Sequence, residues 1–453
     1  MWSHIKDKIT LLAAGDCVAM VIAFIFALAL GHKGSFSDQL VLQYDMSMLT
    51  LSLSTILIFV VIDTYSLDRV SMRFMRQALL IVFGLFMSAI FTTFTFFFFR
   101  DAVPRAVFIL FYLFSAVLIV GLRYFFTLLT PTPIWKVLIV GNGERSKIVE
   151  EMIDSRDYLR MKVVGLLVDD PVSQQRRGCP RLGDVSELLS VVDYQKINHI
   201  VVAAESIDYA LARLLVKCMH LKVEVSSFTH FIEDISGQIP VNYLDDNWFI
   251  LELGIRNKRH FWSAKHYMDI GIAVVGLCLA FPLFLLAALL IKLESSGPVF
   301  YSQLRIGRDN KPFRAWKLRT MKDGADKNNV HWTLDNDNRI TRVGKWLRKI
   351  RFDEVPQLIN ILKGEMTLIG PRPEAVSLVE KYAAEIPYYL ERHMVTPGIT
   401  GWAQINYRYG NSIEDTRQKL MFDLYYIKNR SATLDIIIFL RTIRTVLTCR
   451  GAM

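Results

Sequence analysis

Four long apolar runs dominate the first third of the chain. They cover residues 9–30, 46–62, 77–99 and 106–122. Asp16, in the first run, is the only charged residue inside them. A helix of about 20 predominantly apolar residues crosses the hydrocarbon core of a bilayer. The pattern therefore predicts a bundle of four transmembrane helices over residues 1–130, with two of the runs near the lower length limit.

Basic residues beside these runs set the predicted orientation of the bundle. They lie before the first run, between the second and third, and after the fourth: Lys6, Lys8, Arg69, Arg73, Arg76 and Lys136. If each run crosses once, all of them fall on one side, and loops rich in Lys and Arg stay in the cytoplasm. We therefore expect both ends of the bundle to face the cytoplasm. The first run lacks a small-residue cleavage pattern, so we expect no cleaved signal peptide.

Asp16 allows two interpretations. An ionisable residue inside a membrane span can be part of a proton or substrate relay. It can also be a carboxylate that pairs with another helix or reaches the interface. We favour the second interpretation, because Asp16 is only about two helical turns from the predicted interface.

From about Trp135 the pattern changes to alternating strands and helices. It predicts strands at 136–141, 163–168 and 197–203 and a helix at 144–156. Gly141 and Gly143 form a tight turn typical of dinucleotide-binding folds, but Ser146 replaces the third glycine of that fingerprint. The pattern therefore predicts a degenerate Rossmann-like α/β module over residues 131–255. No Tyr-x-x-x-Lys pair follows, so we favour a structural or regulatory role over binding of NAD or a nucleotide sugar.

A fifth apolar run, residues 270–291, is expected to enter the membrane without crossing it. Basic residues flank it on both sides, so a full crossing would place one basic cluster outside, against the positive-inside rule. Pro282 removes a helical hydrogen bond near the middle of the run and favours a kink. We therefore predict a bent, re-entrant membrane helix over residues 266–292. The alternative is a fifth true span, which would place everything after it outside the cytoplasm.

Composition supports a membrane protein of about three domains. The chain has 453 residues, of which 52% are hydrophobic, a mean hydropathy of +0.30 and a net charge of +10. In so apolar a chain, the positive charge indicates contact with a membrane surface rather than with nucleic acid. The five cysteines are widely spaced and form no Cys-x-x-Cys pair. This spacing argues against a disulfide framework and against a cysteine zinc site.

The last third of the chain is strongly basic and contains one notable acid pair. Asp353 and Glu354 are adjacent, with Arg348 and Arg351 before them and Arg372 after them. Arginines neutralise phosphates, and carboxylates bind a divalent cation or attack phosphorus. The segment therefore predicts a phosphate-handling site, although an adjacent Asp–Glu pair alone is more often an exposed helix face.

Several short motifs follow one another in this segment. They are Gln303-x-Arg305-x-Gly307, Lys317-x-Arg319-Thr-Met, Asp353-Glu354-x-Pro-Gln, Leu362-Lys-Gly-Glu-Met and Gly370-Pro-Arg-Pro. With the Pro-containing apolar helix, they make residues 262–453 resemble bacterial sugar transferases, the monotopic polyprenol-phosphate phosphoglycosyl transferases. The bundle and the α/β module resemble the large members of that family. The ending that starts at Pro397-Gly-Ile-Thr-Gly resembles the subgroup that initiates exopolysaccharide or capsule assembly.

The resemblance implies a mostly helical catalytic domain on the cytoplasmic face of the bacterial inner membrane. Asp353 would attack the β-phosphate of a UDP-sugar and release UMP, and undecaprenyl phosphate would then accept the sugar phosphate. Glu354 would hold Mg²⁺ or orient the acceptor, so both acids are candidate metal ligands. The implied substrate-binding residues are Arg348 and Arg372 at the nucleotide phosphates, and Lys317, Arg319 and Arg305 along the rim. Pro282, Pro371 and Pro373 are expected to be structural. Membrane lipid is the further partner, and a homodimer is considered.

Three other functions fit parts of the sequence. Asp335-Asn-Asp337 resembles the metal-binding Asp-x-Asp of glycosyltransferases, but the surrounding segment is polar and loop-like. A membrane-bound NAD-dependent nucleotide-sugar epimerase or dehydratase would use residues 136–250 and would need an intact fingerprint. A non-enzymatic scaffold for polysaccharide export would not depend on Asp353. The motifs leave the transferred sugar open.

Overall fold

The structure is a computed structural model of the chain. It describes residues 2–31, 44–62, 64–65, 74–99, 103–129, 134–156, 159–168, 179–253, 259–322, 339–407, 410 and 412–447. The chain divides into two compact units, Met1–Phe231 and Ile232–Met453.

Four apolar helices begin the first unit. They are α1 (Trp2–Gly31), α2 (Asp45–Val61), α3 (Phe74–Phe99) and α4 (Arg105–Leu129). Helices α1, α3 and α4 are long and apolar enough to cross a membrane, whereas α2 has only 17 residues. Phe24 and Phe111 pack between α1 and α4, while Phe86 and Leu113 stay exposed. An apolar outer surface of this kind suits contact with lipid. All four predicted runs are thus helical, and the second is shorter than a full span.

Asp16 is buried and paired inside this bundle. Its Oδ2 accepts hydrogen bonds from Arg123 NH2 at 2.7 Å and from the Tyr65 hydroxyl at 2.9 Å. The side chains of Asp16 and Arg123 are 0% and 4% exposed. Pairing of this kind is how an ionisable residue is accommodated within apolar helices. The interpretation of Asp16 as a paired carboxylate is confirmed.

The Tyr65 hydroxyl contributes one of the two donors to this carboxylate. We expect Tyr65→Phe to lower the free energy of unfolding by about 1 kcal/mol, because it removes one buried hydrogen bond and leaves the ion pair intact. The melting temperature of the detergent-solubilised protein measures this effect. Tyr194→Phe is the matched control, because Tyr194 is 85% exposed. Equal melting temperatures for Tyr65→Phe and wild type would contradict the assigned hydrogen bond.

The rest of the first unit contains a five-stranded parallel sheet. Its strands are β1 (Trp135–Val140), β2 (Met161–Leu167), β3 (Arg181–Gly183), β4 (His199–Val202) and β5 (Glu224–Ser227), and its helices are α5 (Glu144–Asp154), α6 (Leu188–Gln195) and α7 (Tyr209–His220). The strand order is β3-β2-β1-β4-β5, as in one half of a Rossmann-type fold extended by two strands. The three predicted strands and the predicted helix agree with the structure to within two residues. Strands β3 and β5 were not predicted, because they are short and partly polar.

The second unit is mostly helical. Helix α8 (Phe228–Ser236) contains the division between the units, and it is followed by α9 (Asp246–Glu252), α10 (Arg259–Glu294), α11 (Arg342–Lys349), α12 (Leu358–Leu362), α13 (Val376–Glu385), α14 (Trp402–Asn406), α15 (Ile413–Asn429) and α16 (Ala432–Leu447). Strands β6 (Phe300–Ile306) and β7 (Pro312–Leu318) form an antiparallel hairpin, and β8 (Thr367–Ile369) and β9 (Gly398–Thr400) form a parallel pair.

Helix α10 is the predicted fifth apolar run, and it is longer than predicted. It has 36 residues and continues through Pro282. Its buried positions form one stripe along the helix: Lys265, Asp269, Ala273, Ala280, Ala287 and Ile291. Before Pro282, Ala273 packs on Ile361, and after it, Ala287 packs on Leu347. The opposite face is apolar and exposed, and residues Ala264–Glu294 are long and apolar enough to cross a membrane. The re-entrant path stays a prediction.

Residues 232–253 pack within the second unit. Ile239 and Val241 share an apolar core with Tyr389 and Leu420. The backbone N–H of Ile239 donates to the Met421 carbonyl at 3.0 Å. This segment is therefore part of the helical unit, and the predicted module boundary at residue 255 lies beyond the structural division. The hydrophobic pattern cannot show the earlier division, because it does not reveal which core covers these apolar side chains.

Candidate active site

Asp353 and Glu354 lie on a short 3₁₀ turn, Phe352–Gln357, between α11 and α12. Arg351 precedes the turn with a left-handed φ of 56°, a conformation that is uncommon for a residue with a side chain. Phe352 packs on Phe284 of α10, with ring centroids 5.3 Å apart. The acid pair therefore follows directly after a contact with the long apolar helix.

Glu354 is held by cations from two different parts of the unit. Lys317 Nζ, on β7, lies 2.8 Å from Glu354 Oε1, and Arg372 NH2 lies 2.7 Å from the same oxygen. Arg351 NH1 lies 4.0 Å from Oε2. Burial opposes ionisation of this carboxyl, but Arg372 and Lys317 outweigh burial and hold its pKa well below the ordinary value. Glu354 is therefore an anion at neutral pH.

Asp353 is also buried but is affected differently by its surroundings. Burial raises the pKa of Asp353, and the negative charge of Glu354 adds to this effect, whereas Lys317, Arg348 and Arg372 oppose it. The two adjacent acids thus have pKa values that are shifted in opposite directions. Such a separation is expected where one carboxyl reacts and the other stays charged to hold cations.

Arg348 and Arg372 complete the positive lining around the acids. Arg348 Nε, on α11, donates to Thr320 Oγ1 at 2.8 Å. The carbonyl of Arg372 accepts a hydrogen bond from Arg392 NH2 at 3.0 Å. With Lys317, these residues place three cations near two carboxylates, an excess of positive charge. A substrate with phosphate groups supplies the negative charge that would balance this excess.

Arg319, a predicted substrate-binding residue, contacts the loop that follows α10. Its NH1 donates to the carbonyls of Ser296 and Pro298 at 3.0 and 3.3 Å. Gly297 makes this approach possible, because a Cβ there would lie 2.0 Å from Arg319 NH1. The guanidinium thus holds the loop that follows α10 close to the end of β7. A direct contact between Arg319 and substrate stays a prediction.

Arg305 and the two structural prolines meet beside Arg372. Arg305 NH1 donates to the Pro373 carbonyl, and its NH2 donates to Gln303 Oε1 at 3.1 Å. The Pro371 carbonyl accepts a hydrogen bond from the Gly398 N–H at 2.9 Å. The backbone on both sides of Arg372 is therefore fixed by hydrogen bonds. Arg305 thus contacts the segment that carries Arg372, and its predicted role in substrate binding is untested.

Arg392 and Asp423 lie beside the site and were not singled out by the sequence, whereas Thr320 stands in the Lys317-x-Arg319-Thr-Met motif. Arg392 NH2 lies 2.7 Å from Asp423 Oδ2, and both side chains are at most 5% exposed. The same guanidinium holds the Arg372 carbonyl. These partners are 31 residues apart in the chain, and no local spacing links them. Nothing in the sequence distinguishes Arg392 from the many exposed basic residues.

The two acids fit Mg²⁺ only together with a phosphate-bearing substrate. Within the described part of the chain, no group of three or more His, Cys, Asp or Glu side chains could hold a metal ion. Mg²⁺ often takes one or two carboxylates and completes its shell with water and substrate phosphates. Asp353 and Glu354 supply that number, although Glu354 Oε1 already accepts two hydrogen bonds.

The alternative sites receive no support from the structure. Asp335 and Asp337 lie outside the described residues. In the α/β module, Ser146 Oγ donates to the Gly141 carbonyl at 2.9 Å. A Cβ at Gly141 would lie 2.6 Å from the Ala204 nitrogen. The fingerprint turn therefore packs closely against the residues that follow β4.

These features define a membrane protein in which a buried acid pair, bordered by cations, lies beside an apolar helix. The bacterial sugar transferase family matches residues 260–449, and a CoA-binding domain family matches residues 60–227. The chain belongs to the bacterial sugar transferase family, and the resemblance noted from its motifs is confirmed.

Three relatives illustrate the similarity. A UDP-N-acetylgalactosamine-undecaprenyl-phosphate N-acetylgalactosaminephosphotransferase of Aeromonas hydrophila is 42% identical over 58% of this chain and 63% of its own length. A UDP-glucose:undecaprenyl-phosphate glucose-1-phosphate transferase of Xanthomonas campestris pv. campestris is 32% identical over 69% and 66%. A protein of the same name from Caulobacter vibrioides is 43% identical over 42% of this chain and 71% of its own length. The chain thus spans just under two thirds of the first two relatives.

Proposed function

We propose that this protein transfers a sugar 1-phosphate from a UDP-sugar to undecaprenyl phosphate and releases UMP. The observation that carries the proposal is the acid pair Asp353–Glu354 among three cations, directly after the contact between Phe352 and α10. The names of the relatives support the same reaction. A water-soluble donor and a lipid-borne acceptor can meet only at a membrane surface. The product would start the assembly of an exopolysaccharide or capsule repeat unit.

In the first step, a carboxylate oxygen of Asp353 forms a bond to the β-phosphorus of the UDP-sugar. The bond from that phosphorus to the oxygen that bridges the two phosphates breaks, and UMP leaves with the electron pair. The product is a phosphosugar-aspartyl enzyme. Lys317, Arg348 and Arg372 offset the charge that otherwise repels an anionic nucleophile from a diphosphate.

In the second step, a phosphate oxygen of undecaprenyl phosphate attacks the same phosphorus. The bond between that phosphorus and Asp353 breaks, and the carboxylate is restored. The product is a lipid-linked diphosphosugar. Glu354 keeps its charge throughout, because its depressed pKa prevents protonation at neutral pH. One role of Glu354 in this scheme is to hold Lys317 and Arg372 in position.

Mg²⁺ is proposed as the cofactor, with Asp353 and Glu354 as its protein ligands. A divalent cation bound with the substrate would neutralise part of the diphosphate charge.

We propose that α10 is re-entrant and keeps the site at the cytoplasmic face. Its buried stripe contacts the same folded unit before and after Pro282, through Ala273 and Ala287. The helix α11, which packs near the end of α10, contains Arg342 and Lys345. Such charged residues are costly in the hydrocarbon core of a bilayer. A helix that lay straight across the bilayer would bring these neighbours into it, whereas a bent helix at one interface would not.

Exposed apolar side chains near α10 support membrane lipid as a further partner. Trp346 and Ile350, beside the basic residues of α11, are 59% and 40% exposed. Ile436 and Phe439 on α16 are exposed as well. Aromatic and apolar side chains next to cations are typical of interfacial anchors.

The homodimer stays a prediction. Mass photometry of the solubilised protein would test it.

The test of the proposed function is the nucleotide that the protein releases. Full-length protein in nanodiscs would be incubated with undecaprenyl phosphate, Mg²⁺ and either UDP-N-acetylgalactosamine or UDP-glucose, the donors named for the relatives. The proposal is supported if UMP is released over many turnovers only when both the UDP-sugar and undecaprenyl phosphate are present. The donor that reacts faster identifies the sugar. UDP instead of UMP would mean that a glycosidic bond forms. No nucleotide release with these donors or a wider UDP-sugar panel would favour an export scaffold.

The pH dependence of the reaction provides a separate prediction through Lys317. The nucleophile must be ionised, so kcat/KM falls as the pH falls through the raised pKa of Asp353. Lys317 lowers that pKa, so Lys317→Met raises it further and moves the acid limb to higher pH. The measurement is a pH profile of UMP release, with Lys322→Met, an exposed lysine, as the control. An acid limb at the same pH in Lys317→Met and wild type would argue against Asp353 as the titrating group.

A further inference from the structure

A second buried charge cluster lies away from the acid pair, where α10 meets α16. The Lys265 cluster consists of Lys265 and Asp269 on α10 and Asp435 on α16. Lys265 Nζ lies 2.8 Å from Asp435 Oδ2 and 3.6 Å from Asp269 Oδ2, and all three side chains are at most 5% exposed. Buried charges are costly unless they are paired and hydrogen-bonded. Packing alone therefore does not explain why charged residues occupy these buried positions.

Each residue of strand β8 contacts either Asp269 of this cluster or Tyr426, whose hydroxyl lies beside Asp435. Thr367 Oγ1 donates to Asp269 Oδ2, and the Leu368 N–H lies 3.4 Å from the same oxygen. The Tyr426 hydroxyl lies 2.9 Å from the Ile369 carbonyl and 2.9 Å from Asp435 Oδ1. The Lys265 cluster thus fixes β8 along its whole length to the start of the membrane helix.

Strand β8 leads directly into the segment that carries Arg372. Only Gly370 and Pro371 separate Ile369 from Arg372. Gly370 is tightly enclosed, since a Cβ there would lie 2.6 Å from the Thr396 carbonyl, and Pro371 has a fixed φ. Little freedom is therefore left between β8 and the guanidinium that contacts Glu354 at 2.7 Å. A shift of β8 would be passed on to Arg372.

We propose that Asp269 is a positioning residue, which ties β8 to the membrane helix and so places Arg372 against Glu354. The proposal rests on the proposed phosphosugar transfer for its effect on rate. It means that the position of α10 against the rest of the second unit determines where Arg372 lies relative to Glu354. The mechanism needs no contact between Asp269 and either substrate.

The chain offers a matched pair of substitutions at this position. Asp269→Ala removes the acceptor for Thr367 and Leu368 but leaves Lys265 paired with Asp435, so the remaining pair has no net charge. Asp269→Asn keeps an oxygen acceptor at the same place. A displacement of about 1 Å at a catalytic group costs on the order of 100-fold in rate. We expect Asp269→Ala to slow UMP release by about 10- to 100-fold and Asp269→Asn to slow it by less than about 3-fold.

A double-mutant cycle separates positioning from general destabilisation. If Asp269 acts through Arg372, Asp269→Ala in an Arg372→Gln background causes less than about a 2-fold further loss. An equal loss in both backgrounds, or an Asp269→Asn variant as slow as Asp269→Ala, would overturn the proposal. If Asp269→Ala does not fold, Thr367→Val, which removes only the hydroxyl donor, replaces it in the same cycle.

Hydrogen–deuterium exchange tests the tie without relying on activity. In nanodiscs, the amides of residues 367–370 and of Arg372 are expected to exchange about 10-fold faster in Asp269→Ala than in wild type, and at the wild-type rate in Asp269→Asn. Unchanged exchange in Asp269→Ala would overturn the proposal whatever the reaction. If exchange is faster in Asp269→Ala but wild-type protein releases no UMP, the link between Asp269 and β8 is supported and the proposed function is refuted.

Discussion

Asp353→Asn is expected to abolish UMP release, with a loss of about 10⁴-fold or more. An amide oxygen cannot form the bond to the β-phosphorus that the carboxylate forms in the first step. The substitution is nearly isosteric, so the packing of the turn is kept. It also removes one of two adjacent negative charges, so we expect the melting temperature to stay at or above that of wild type. Loss of activity would then reflect chemistry and not folding.

The covalent intermediate gives this prediction a second measurement. When undecaprenyl phosphate is withheld, wild-type protein incubated with a sugar-labelled UDP-sugar is expected to retain label, and Asp353→Asn is expected to retain none. Asp193→Asn, at a side chain that is 81% exposed, is the matched control and should behave as wild type. Retention of label by Asp353→Asn would assign the nucleophile to another residue, with Glu354 the first to examine.

The residues that come together at the candidate site could be identified from the sequence because they stand in short contiguous motifs. Asp353, Glu354, Lys317 and Arg372 each stand in a short motif, and the structure brings all four together. The sequence could not show that Arg319 turns toward the carbonyls of the Ser296–Pro298 loop, because lysine and arginine in one motif look equivalent. Which cation meets an acid and which meets a backbone carbonyl depends on the tertiary fold.

The apolar segments were predictable for a similar reason, and the domain division was not. Long uninterrupted runs of apolar residues mark α1, α3, α4 and α10, since each has the length and composition of a membrane-crossing helix. Residues 232–253 look like a continuation of the α/β module, yet they pack on α15 and its neighbours. Some of these partners are far away in the chain, as the hydrogen bond from the Ile239 N–H to the Met421 carbonyl illustrates. Local patterns carry no information on such contacts.

Arg392→Met is expected to cause a large loss of stability, because it leaves Asp423 buried without its partner. Asp423 is 1% exposed and pairs with Arg392 at 2.7 Å. Removal of one member of a buried ion pair typically costs about 3–5 kcal/mol, so the unit should melt about 10 °C lower. UMP release should also fall, since Arg392 donates to the Arg372 carbonyl. Arg417→Met, which breaks a surface pair with Glu414 on the same helix as Asp423, should cost less than about 1 kcal/mol.

The double variant Arg392→Met/Asp423→Leu separates the two roles of the pair. Both charges are then replaced by apolar groups of similar volume, a change that is often neutral or stabilising in buried ion pairs. We expect the melting temperature to recover to within about 3 °C of wild type. UMP release should stay low, because the Arg372 carbonyl still lacks its donor. Full recovery of both properties would mean that the pair contributes only to stability, while an unchanged melting temperature in Arg392→Met would contradict the buried pair itself.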